Sequence, residues 1–350
     1  MEYSDVYPHV IHNSGDKCLI SIIIPVYNVE KYIRPCLESV FRQNLEESIF
    51  EVIIVNDGTQ DRSMEIIQDI INQHPNISVI NQENLSLSVA RNNGMAKAKG
   101  EYILMPDSDD LLIDNSLSLL LEEAVKSKAD LVVADFLEMS DQEINDNKAI
   151  TQIELHVEEK SGERLFLEDL NPRQCYVWRT LFRREFLLEN HLRFVPGIRY
   201  QDVPFTHECY LKAKKCLRVS RLLNVYRRGH ESATSSFDEN KAKDFSIAIA
   251  ETWKLAKYTN TPEILYKLQN DVYVSFSFFL SSIVYSIKGD KMRMKLLRYL
   301  KQKVPDLFFK NNLTQIITSM LYEYSPRLLI NLHYYGRKIK QSFINMLNFN

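Results

Sequence analysis

The stretch CLISIIIPV, residues 18–26, is a nearly unbroken run of apolar side chains that is rich in β-branched residues. Such a run predicts a strand that is covered on both faces, as in a parallel sheet. The run FEVIIV at 50–55 repeats the pattern, and shorter runs follow at 77–80, 102–105 and 131–136. We therefore expect five strands in the first 136 residues.

Helical patterns separate these strands. The apolar residues between the first two strands recur at helical spacing, at Tyr32, Ile33, Cys36, Leu37, Val40 and Phe41. Pro35 then falls in a first turn, where its missing N–H costs little. Further helical stripes follow Asp61, a candidate N-cap, and begin at Leu117. Strands that alternate with helices predict βαβ units and a mostly parallel, doubly wound sheet.

A sheet of this kind binds ligands beyond the carboxyl ends of its strands. The loops expected there are PVYN (25–28), NDGT (56–59), QEN (82–84) and PDSDD (106–110). All four are polar, and the second and fourth carry aspartates. We therefore look for the functional site in these loops.

Three carboxylates stand within four residues, at Asp107, Asp109 and Asp110. Their mutual repulsion would be offset by a hard cation such as Mg²⁺ or Mn²⁺. Alternate residues of an extended chain point to opposite faces, so Asp107 and Asp109 can share an ion only if the backbone turns there. The alternative is a helix N-terminus capped by Asp110 or Asp114. Asp57 can likewise accept from a base or ribose, or belong to an Asp-Gly turn.

Six segments of the chain match one known family in order and spacing. They are SIIIPVYN (21–28), VNDGTQD (55–61), ENLSLSVARNNG (83–94), AKGEYILMPDSDD (98–110), YQDVPF (200–205) and YRRGHESAT (226–234). Together they resemble glycosyltransferase family 2 over residues 18–236, roughly two-thirds of the chain. The resemblance implies a GT-A fold, an αβα sandwich with a mostly parallel, Rossmann-like sheet whose first half holds a nucleoside diphosphate.

The resemblance also implies roles for individual residues. The residues implied to bind the nucleotide sugar are Pro25, Tyr27, Asp57, Arg91, Asp107 and Arg227. Asp109 would bind Mn²⁺ or Mg²⁺ against the diphosphate, and Asp202 would be the general base. Trp178 matches a position on the acceptor side of the family's site, where it would stack on a sugar ring. The alternative is that Trp178 packs in the core. His230 would complete the metal shell or lie exposed in a loop.

Two positions depart from the family pattern. Gln201 precedes the candidate base where the family usually has Glu, and Ser86 replaces a usual Gly, which predicts a less permissive loop. The expected domains are an N-terminal extension at 1–17, a glycosyltransferase domain at 18–238 and a helical C-terminal region at 239–350. Within the middle domain, residues 18–136 form the nucleotide-sugar half and residues 137–238 the acceptor half.

The expected activity is metal-dependent, inverting transfer of a sugar from a UDP-sugar to a saccharide or lipid-linked saccharide, as in polysaccharide biosynthesis. A sugar nucleotidyltransferase or an NAD-dependent oxidoreductase would need a Gly-rich loop after the first strand, and PVYNVEKY contains no Gly. A non-catalytic binder of saccharides or sugar nucleotides is the other alternative. It would be expected to have lost Asp109 or Asp202, and both are present.

The charge of the chain is unevenly distributed. The segment from Lys288 to Lys340 contains twelve Lys or Arg and three Asp or Glu residues, a net charge of +9. Since the whole chain carries −3, the remainder carries −12. Basic residues interleaved with Tyr and Phe form either a solvated helical face or a site for an anionic membrane surface. A nucleic-acid partner is not expected, because no RNA-binding module signature is present.

The cysteines and the N-terminal sequence indicate the cellular compartment of the protein. The five cysteines form no CxxC pair, which favours reduced thiols. The first residues lack a signal-peptide pattern, and the longest uncharged helical run, 272–287, is short for a membrane span. We therefore expect a cytoplasmic protein, with peripheral association at the inner face of the membrane as the further possibility.

Overall fold

A computed structural model describes residues 17–146, 148–229 and 236–335 of the chain. They belong to two compact units, each of which is described by itself. The first unit takes its described residues from Met1–Glu168, Tyr176–Gly197 and Cys209–His230, and the second from Asp169–Cys175, Ile198–Glu208 and Glu231–Asn350. The expected domain bounds, at residues 18, 137 and 239, stay predictions.

The first unit is built on one sheet. Its nine strands within the described residues are β1 (Ile20–Val26), β2 (Phe50–Asn56), β3 (Ile77–Asn81), β4 (Tyr102–Leu104), β5 (Leu111–Leu112), β6 (Leu131–Ser140), β7 (Val157–Lys160), β8 (Thr180–Arg183) and β9 (Cys216–Arg228). They lie in the order β3-β2-β1-β4-β8-β6-β9-β5, and β7 also pairs with β9. The longest pairings, β1 with β2 and β6 with β9, are parallel. The sheet is therefore mostly parallel, as the sequence predicts.

Apolar strand sequences account for the centre of this sheet. All five expected strands are present, and every residue of β1 is buried. Ile22 and Ile24 of β1 pack in one core cluster with Val52 and Ile54 of β2. The antiparallel pairings of β8 with β4 and β6 interrupt the parallel order in the middle of the sheet.

Short helices connect the strands of the first unit. They are α1 (Ile33–Phe41), α2 (Ser63–Ile66), α3 (Gln68–Gln73), α4 (Leu87–Lys97), α5 (Leu117–Ser127), α6 (Asp141–Asn145), α7 (Gly162–Glu168) and α8 (Arg184–Glu189). Pro35 lies in the first turn of α1, as expected. Helix α4 packs closely on β1, because a Cβ atom on Gly94 would lie 2.3 Å from Ile23 Cγ2. This contact fixes the helix that carries Arg91.

Helices supply the regular structure of the second unit. They are α9 (Asp202–Lys212), to which this unit contributes residues 202–208, α10 (Glu239–Lys254), α11 (Pro262–Ser286), α12 (Asp290–Lys303) and α13 (Leu313–Tyr324). The C-terminal region is therefore helical, as the sequence predicts. None of the described helices is both long and apolar enough to cross a membrane.

A buried polar network joins α9 to α11 inside the second unit. Asp271 is 4% exposed, and its Oδ2 atom lies 2.8 Å from Lys267 Nζ and 3.4 Å from His207 Nε2. Lys267 also donates to the Leu170 carbonyl at 3.0 Å. Buried charges persist when they are paired in this way, so the network fixes the first turns of α9.

Helix α13 buries polar side chains and exposes apolar ones. Gln315 and Ser319 are 2% and 1% exposed and make hydrogen bonds within the unit. On its other face, Leu313, Ile317 and Met320 are 71%, 47% and 50% exposed. Apolar side chains that recur at helical spacing on an exposed face commonly mark an interaction surface.

Candidate active site

The polar loops that follow β1 and β2 are joined by hydrogen bonds. Asn28 adopts a φ of +53°, a conformation that Asn tolerates better than most residues. Its N–H donates to Thr59 Oγ1 at 2.8 Å, and its side-chain oxygen accepts from the Gln60 N–H at 3.0 Å. Pro25 is buried at the end of β1, whereas Tyr27 is 42% exposed. Of these two predicted nucleotide-binding residues, Tyr27 is therefore the accessible one.

Asp57, directly after β2, shapes the loop between β3 and α4. Its Oδ1 accepts hydrogen bonds from Gln82 Nε2 at 2.7 Å and Leu85 N at 2.8 Å, and its Oδ2 accepts from Ser86 N at 3.1 Å. Ser86 adopts a φ of +100°, a region that favours glycine, so this loop is strained where the family usually has Gly. The predicted contact of Asp57 with a base or ribose stays a prediction.

A backbone turn gathers the three aspartates after β4. The Asp110 N–H donates to the Asp107 carbonyl at 3.2 Å, so the chain bends instead of starting a helix. One carboxylate oxygen from each of Asp107, Asp109 and Asp110 lies within 4.8 Å of the others. The helix-cap alternative is wrong, because α5 begins later and Asp114 pairs with Arg42 at 2.8 Å instead. We call residues 107–110 the acidic turn.

Arg91 of α4 anchors one end of the acidic turn. Its side chain is 2% exposed, and its guanidinium donates to Asp107 Oδ1. The guanidinium carbon also lies 5.5 Å from the centre of the Phe194 ring. Arg91, which was predicted to lie near the donor, therefore acts on the acidic turn through Asp107. A direct contact of Arg91 or Asp107 with a nucleotide sugar stays a prediction.

Arg227 of β9 anchors the other end. Its backbone N–H donates to Asp110 Oδ1 at 2.8 Å, and its Nε donates to the Asp109 carbonyl at 2.8 Å. The guanidinium also pairs with Asp141 at 2.6 Å and lies 4.8 Å from the centre of the Tyr32 ring. Its side chain is 5% exposed. The observed role of Arg227 is therefore to hold the acidic turn, and its predicted contact with the donor stays a prediction.

Asp110 is the unusual member of the acidic turn. It is 1% exposed, and its Oδ2 atom finds no hydrogen-bond partner within the described residues. Burial, reinforced by the negative charges of Asp109 and Asp107, raises the pKa of Asp110 to about 9. This carboxylate therefore favours a bound proton, or a cation in its place.

The acidic turn fits a hard divalent cation. Three carboxylates offer oxygen ligands only, which Mg²⁺ and Mn²⁺ prefer. A cation would also pair with the orphaned Oδ2 of Asp110 and offset the repulsion from Asp109 and Asp107. The resemblance implies Asp109 as a metal ligand, and His230 was expected either to complete the metal shell or to lie exposed in a loop. His230 lies outside the described residues, and Asp110 is the additional candidate ligand.

Trp178 lies at the centre of an aromatic cluster. Its ring stacks on Tyr176 at 4.7 Å and on Tyr226 at 5.6 Å, and it meets Phe136 edge-on at 5.0 Å. Trp178 is 2% exposed, whereas its three neighbours are partly exposed. This burial favours the core-packing alternative for Trp178, and its acceptor role stays a prediction.

Asp202, the candidate base, is the first residue of α9 in the second unit and is partly exposed. Tyr200, two residues earlier, adopts a φ of +59°, which is uncommon for a bulky residue. Its ring packs on Phe245 with 4.5 Å between the ring centres. A strained turn held by tertiary contacts therefore sets the start of α9, and proton acceptance by Asp202 stays a prediction.

The sequence showed Asp110 as the third carboxylate of the acidic run or as a helix cap, but did not single it out as a metal ligand. Sequence reasoning missed two other residues that support the acidic turn. Asp141 and Tyr32 hold the guanidinium of Arg227, and neither stands in a local pattern that points to that contact. Their role follows only from the packing of β9 beside the acidic turn.

Comparison with known proteins gives the family of the chain. Residues 21–190 match the family model described as Glycosyl transferase family 2. The chain is 35% identical over 246 residues to EpsJ, an uncharacterized glycosyltransferase of Bacillus subtilis; the match covers 66% of this chain and 69% of EpsJ. It is 31% identical over 239 residues to the glycosyltransferase GlyG of Streptococcus pneumoniae, covering 65% of this chain and 76% of GlyG.

Solved structures share the fold. The crystal structure of S. aureus TarS 1-349 in complex with UDP-GlcNAc superposes with a TM-score of 0.67 at 20% identity, over 93% of this chain and 92% of that one. The same protein in complex with UDP superposes with a TM-score of 0.66 at 19% identity, over 93% and 91% of the two chains. The family match, these relatives and the common fold lead to one conclusion: the chain belongs to glycosyltransferase family 2 and has the GT-A fold.

Proposed function

We propose that this glycosyltransferase transfers a sugar from a UDP-sugar to a hydroxyl of a saccharide or lipid-linked saccharide, with inversion and with Mn²⁺ or Mg²⁺ at the acidic turn. The observation that carries the metal dependence is the buried, orphaned Oδ2 of Asp110 beside two further carboxylates. A UDP-sugar donor is supported by the UDP and UDP-GlcNAc in the TarS structures.

The leaving group defines what the site must do. Negative charge builds up on the diphosphate as its bond to the anomeric carbon breaks, and preorganised groups must stabilise that charge. A divalent cation held by Asp109, with Asp107 and Asp110, supplies Lewis-acid stabilisation when it is bound. Arg91 and Arg227 hold the three carboxylates together against their mutual repulsion.

Asp202 is the proposed general base. It accepts the proton of the acceptor hydroxyl as that oxygen attacks the anomeric carbon. A single displacement, from the side opposite the diphosphate, inverts the configuration. A covalent double displacement would retain the configuration instead. Inversion is what the resemblance to the family implies.

A membrane surface is the proposed setting of the acceptor. Helix α13 exposes Leu313, Ile317 and Met320, and the segment from Lys288 to Lys340 carries a net charge of +9. Apolar side chains together with basic ones bind anionic lipid surfaces without crossing them. This supports a cytoplasmic enzyme at the inner face of the membrane, where a lipid-linked saccharide would be accessible.

Asp109→Asn tests the metal site. We expect the rate of UDP release from a panel of UDP-sugars, measured with saturating Mn²⁺, to fall roughly 10²–10³-fold, because a charge-stabilising group is lost. Asp114→Asn is the matched control, since Asp114 is a nearby carboxylate that is 55% exposed and pairs with Arg42. Wild-type turnover that persists in EDTA, or an Asp109→Asn variant with the wild-type rate, would contradict the metal dependence.

Asp202→Asn tests the base. We expect the transfer rate to fall about 10²–10⁴-fold, while calorimetry still detects binding of the UDP-sugar in Mn²⁺, because the base acts on the acceptor. Glu208→Gln, on the same helix, is the control and should keep the wild-type rate. A variant that loses donor binding, or that keeps its rate, is incompatible with this role. The anomeric proton coupling of the wild-type product, measured by NMR, checks inversion.

Asp110→Asn tests the buried carboxylate through the pH dependence of stability. The folded-state pKa of about 9 lies above the ordinary value of 3.8, so the folded chain holds a proton that the unfolded chain has released. This stabilisation is complete at low pH and is lost as the pH rises toward 9, by at most ~1.4 kcal/mol per pH unit. In metal-free buffer, the free energy of unfolding of the wild type should therefore fall between pH 5 and 8 relative to that of Asp110→Asn. Parallel curves for the two proteins would exclude the assigned pKa.

The double variant Leu313→Glu/Ile317→Glu tests the proposed membrane-binding surface of α13. We expect the wild type to sediment with vesicles that contain phosphatidylglycerol and the double variant to stay in the supernatant, because two charges replace the exposed apolar side chains. Thr314→Glu, exposed on the same helix, is the charge control and should still sediment. Equal sedimentation of the wild type and the double variant would remove the proposal.

A further inference from the structure

The aromatic cluster of Phe136, Tyr176, Trp178 and Tyr226 has a buried base and an accessible outer part. Trp178 is 2% exposed and supports both tyrosines by stacking, with interplanar angles of 15° to Tyr176 and 29° to Tyr226. Phe136 stands edge-on to Tyr176 at 5.6 Å. Because Phe136, Tyr176 and Tyr226 are only partly buried, they form the surface that a ligand could reach.

The cluster lies beside the acidic turn. Tyr226 immediately precedes Arg227, whose backbone N–H donates to Asp110 Oδ1 at 2.8 Å. In the sheet, Leu111 of β5 pairs with Val225 of β9, so the residues that follow the acidic turn run along the strand that carries Tyr226. A molecule on the cluster would therefore lie next to the place where the diphosphate bond is expected to break.

A charged pair flanks the aromatic surface. Arg228 lies with its guanidinium carbon 5.2 Å from the centre of the Tyr226 ring, and its Nε donates to Glu138 Oε2 at 3.0 Å. The side chains of Arg228 and Glu138 are 55% and 41% exposed. A surface contact of this kind is weak, so both groups can exchange it for hydrogen bonds to a ligand.

We propose that Phe136, Tyr176 and Tyr226, supported by Trp178, form the binding subsite for the acceptor saccharide; this rests on the transferase function proposed above. The C–H face of a pyranose packs on aromatic rings, and its hydroxyls accept from Arg228 and donate to Glu138. The position fits the acceptor better than the nucleotide, because the predicted nucleotide-binding loops follow β1 and β2, on the far side of β4 from β6 and β9. Tyr176 and Tyr226, and not the buried Trp178, are then the residues that contact the sugar.

Tyr176→Ala and Tyr226→Ala test this subsite in the full chain. We expect the KM for the acceptor to rise about tenfold, as for a lost aromatic contact, while the KM for the UDP-sugar and the rate of donor hydrolysis without acceptor change less than twofold. Tyr176→Phe and Tyr226→Phe keep the ring and should restore the acceptor KM. Tyr258→Ala, at an 84% exposed position in the second unit, is the control for an unrelated tyrosine.

A purely structural role would give a different result. If the alanine variants lower the melting temperature and raise both KM values together, or if they fold normally with an unchanged acceptor KM, the subsite is overturned. Equal KM values for the phenylalanine and alanine variants would also overturn it.

Binding without turnover separates this inference from the proposed function. The chain has two tryptophans, so Trp253→Phe leaves Trp178 as the sole tryptophan reporter at the base of the cluster. Methyl β-glucoside, methyl β-galactoside and methyl N-acetyl-β-glucosaminide are the probes. A saturable change in Trp178 fluorescence that is lost in Tyr176→Ala supports the subsite even if no UDP-sugar is turned over, in which case the proposed donor is wrong. No change with any probe, in an enzyme that does turn over a UDP-sugar, overturns the subsite alone.

Discussion

The hydrogen bonds from Arg227 to the acidic turn are the interaction on which the rest of the site depends. Ionised carboxylates within 4.8 Å of one another repel by roughly 3–4 kcal/mol per pair at the effective dielectric of a protein surface. Arg227 opposes this repulsion with a backbone bond to Asp110 and a side-chain bond to the Asp109 carbonyl, and Arg91 pairs with Asp107. Because the two arginines come from β9 and α4, the turn keeps its shape only in the assembled first unit.

The two arginines do not neutralise the turn completely. Asp110 remains buried with one orphaned oxygen, which is why its pKa is raised to about 9. A proton and a divalent cation would therefore compete for the same carboxylate, and binding of the cation would release the proton. The same burial that makes an ionised carboxylate costly for the fold would strengthen its attraction for a cation, because electrostatic interactions are stronger where the local dielectric is low.

The sequence predicted the structural features that are encoded by a few neighbouring residues, and it did not predict contacts between residues far apart in the chain. The strand at 18–26 and the turn of α1 at Pro35 followed from apolar runs and from proline geometry, which act over a few residues. The cluster of aspartates was visible, but the bend that joins them was not, because an extended chain would have separated Asp107 from Asp109. The pairing of Arg227 with Asp141 was not predictable, since these residues are far apart in sequence and meet only through the packing of β9.

The strand order explains why the aromatic cluster and the acidic turn lie on the same side of the sheet. Strand β8 runs antiparallel to β4 and β6, so its first residues lie on the side of the sheet toward which β4 and β6 run. Tyr176 and Trp178 stand just before β8, and the acidic turn follows β4, so a single reversal of direction brings aromatic and acidic groups to the same edge. With β8 parallel, that stretch would lie at the opposite side of the sheet, and Phe136 of β6 and Tyr226 of β9 would lack the ring contacts of Tyr176 and Trp178. The direction of β8 thus completes the aromatic cluster beside the acidic turn.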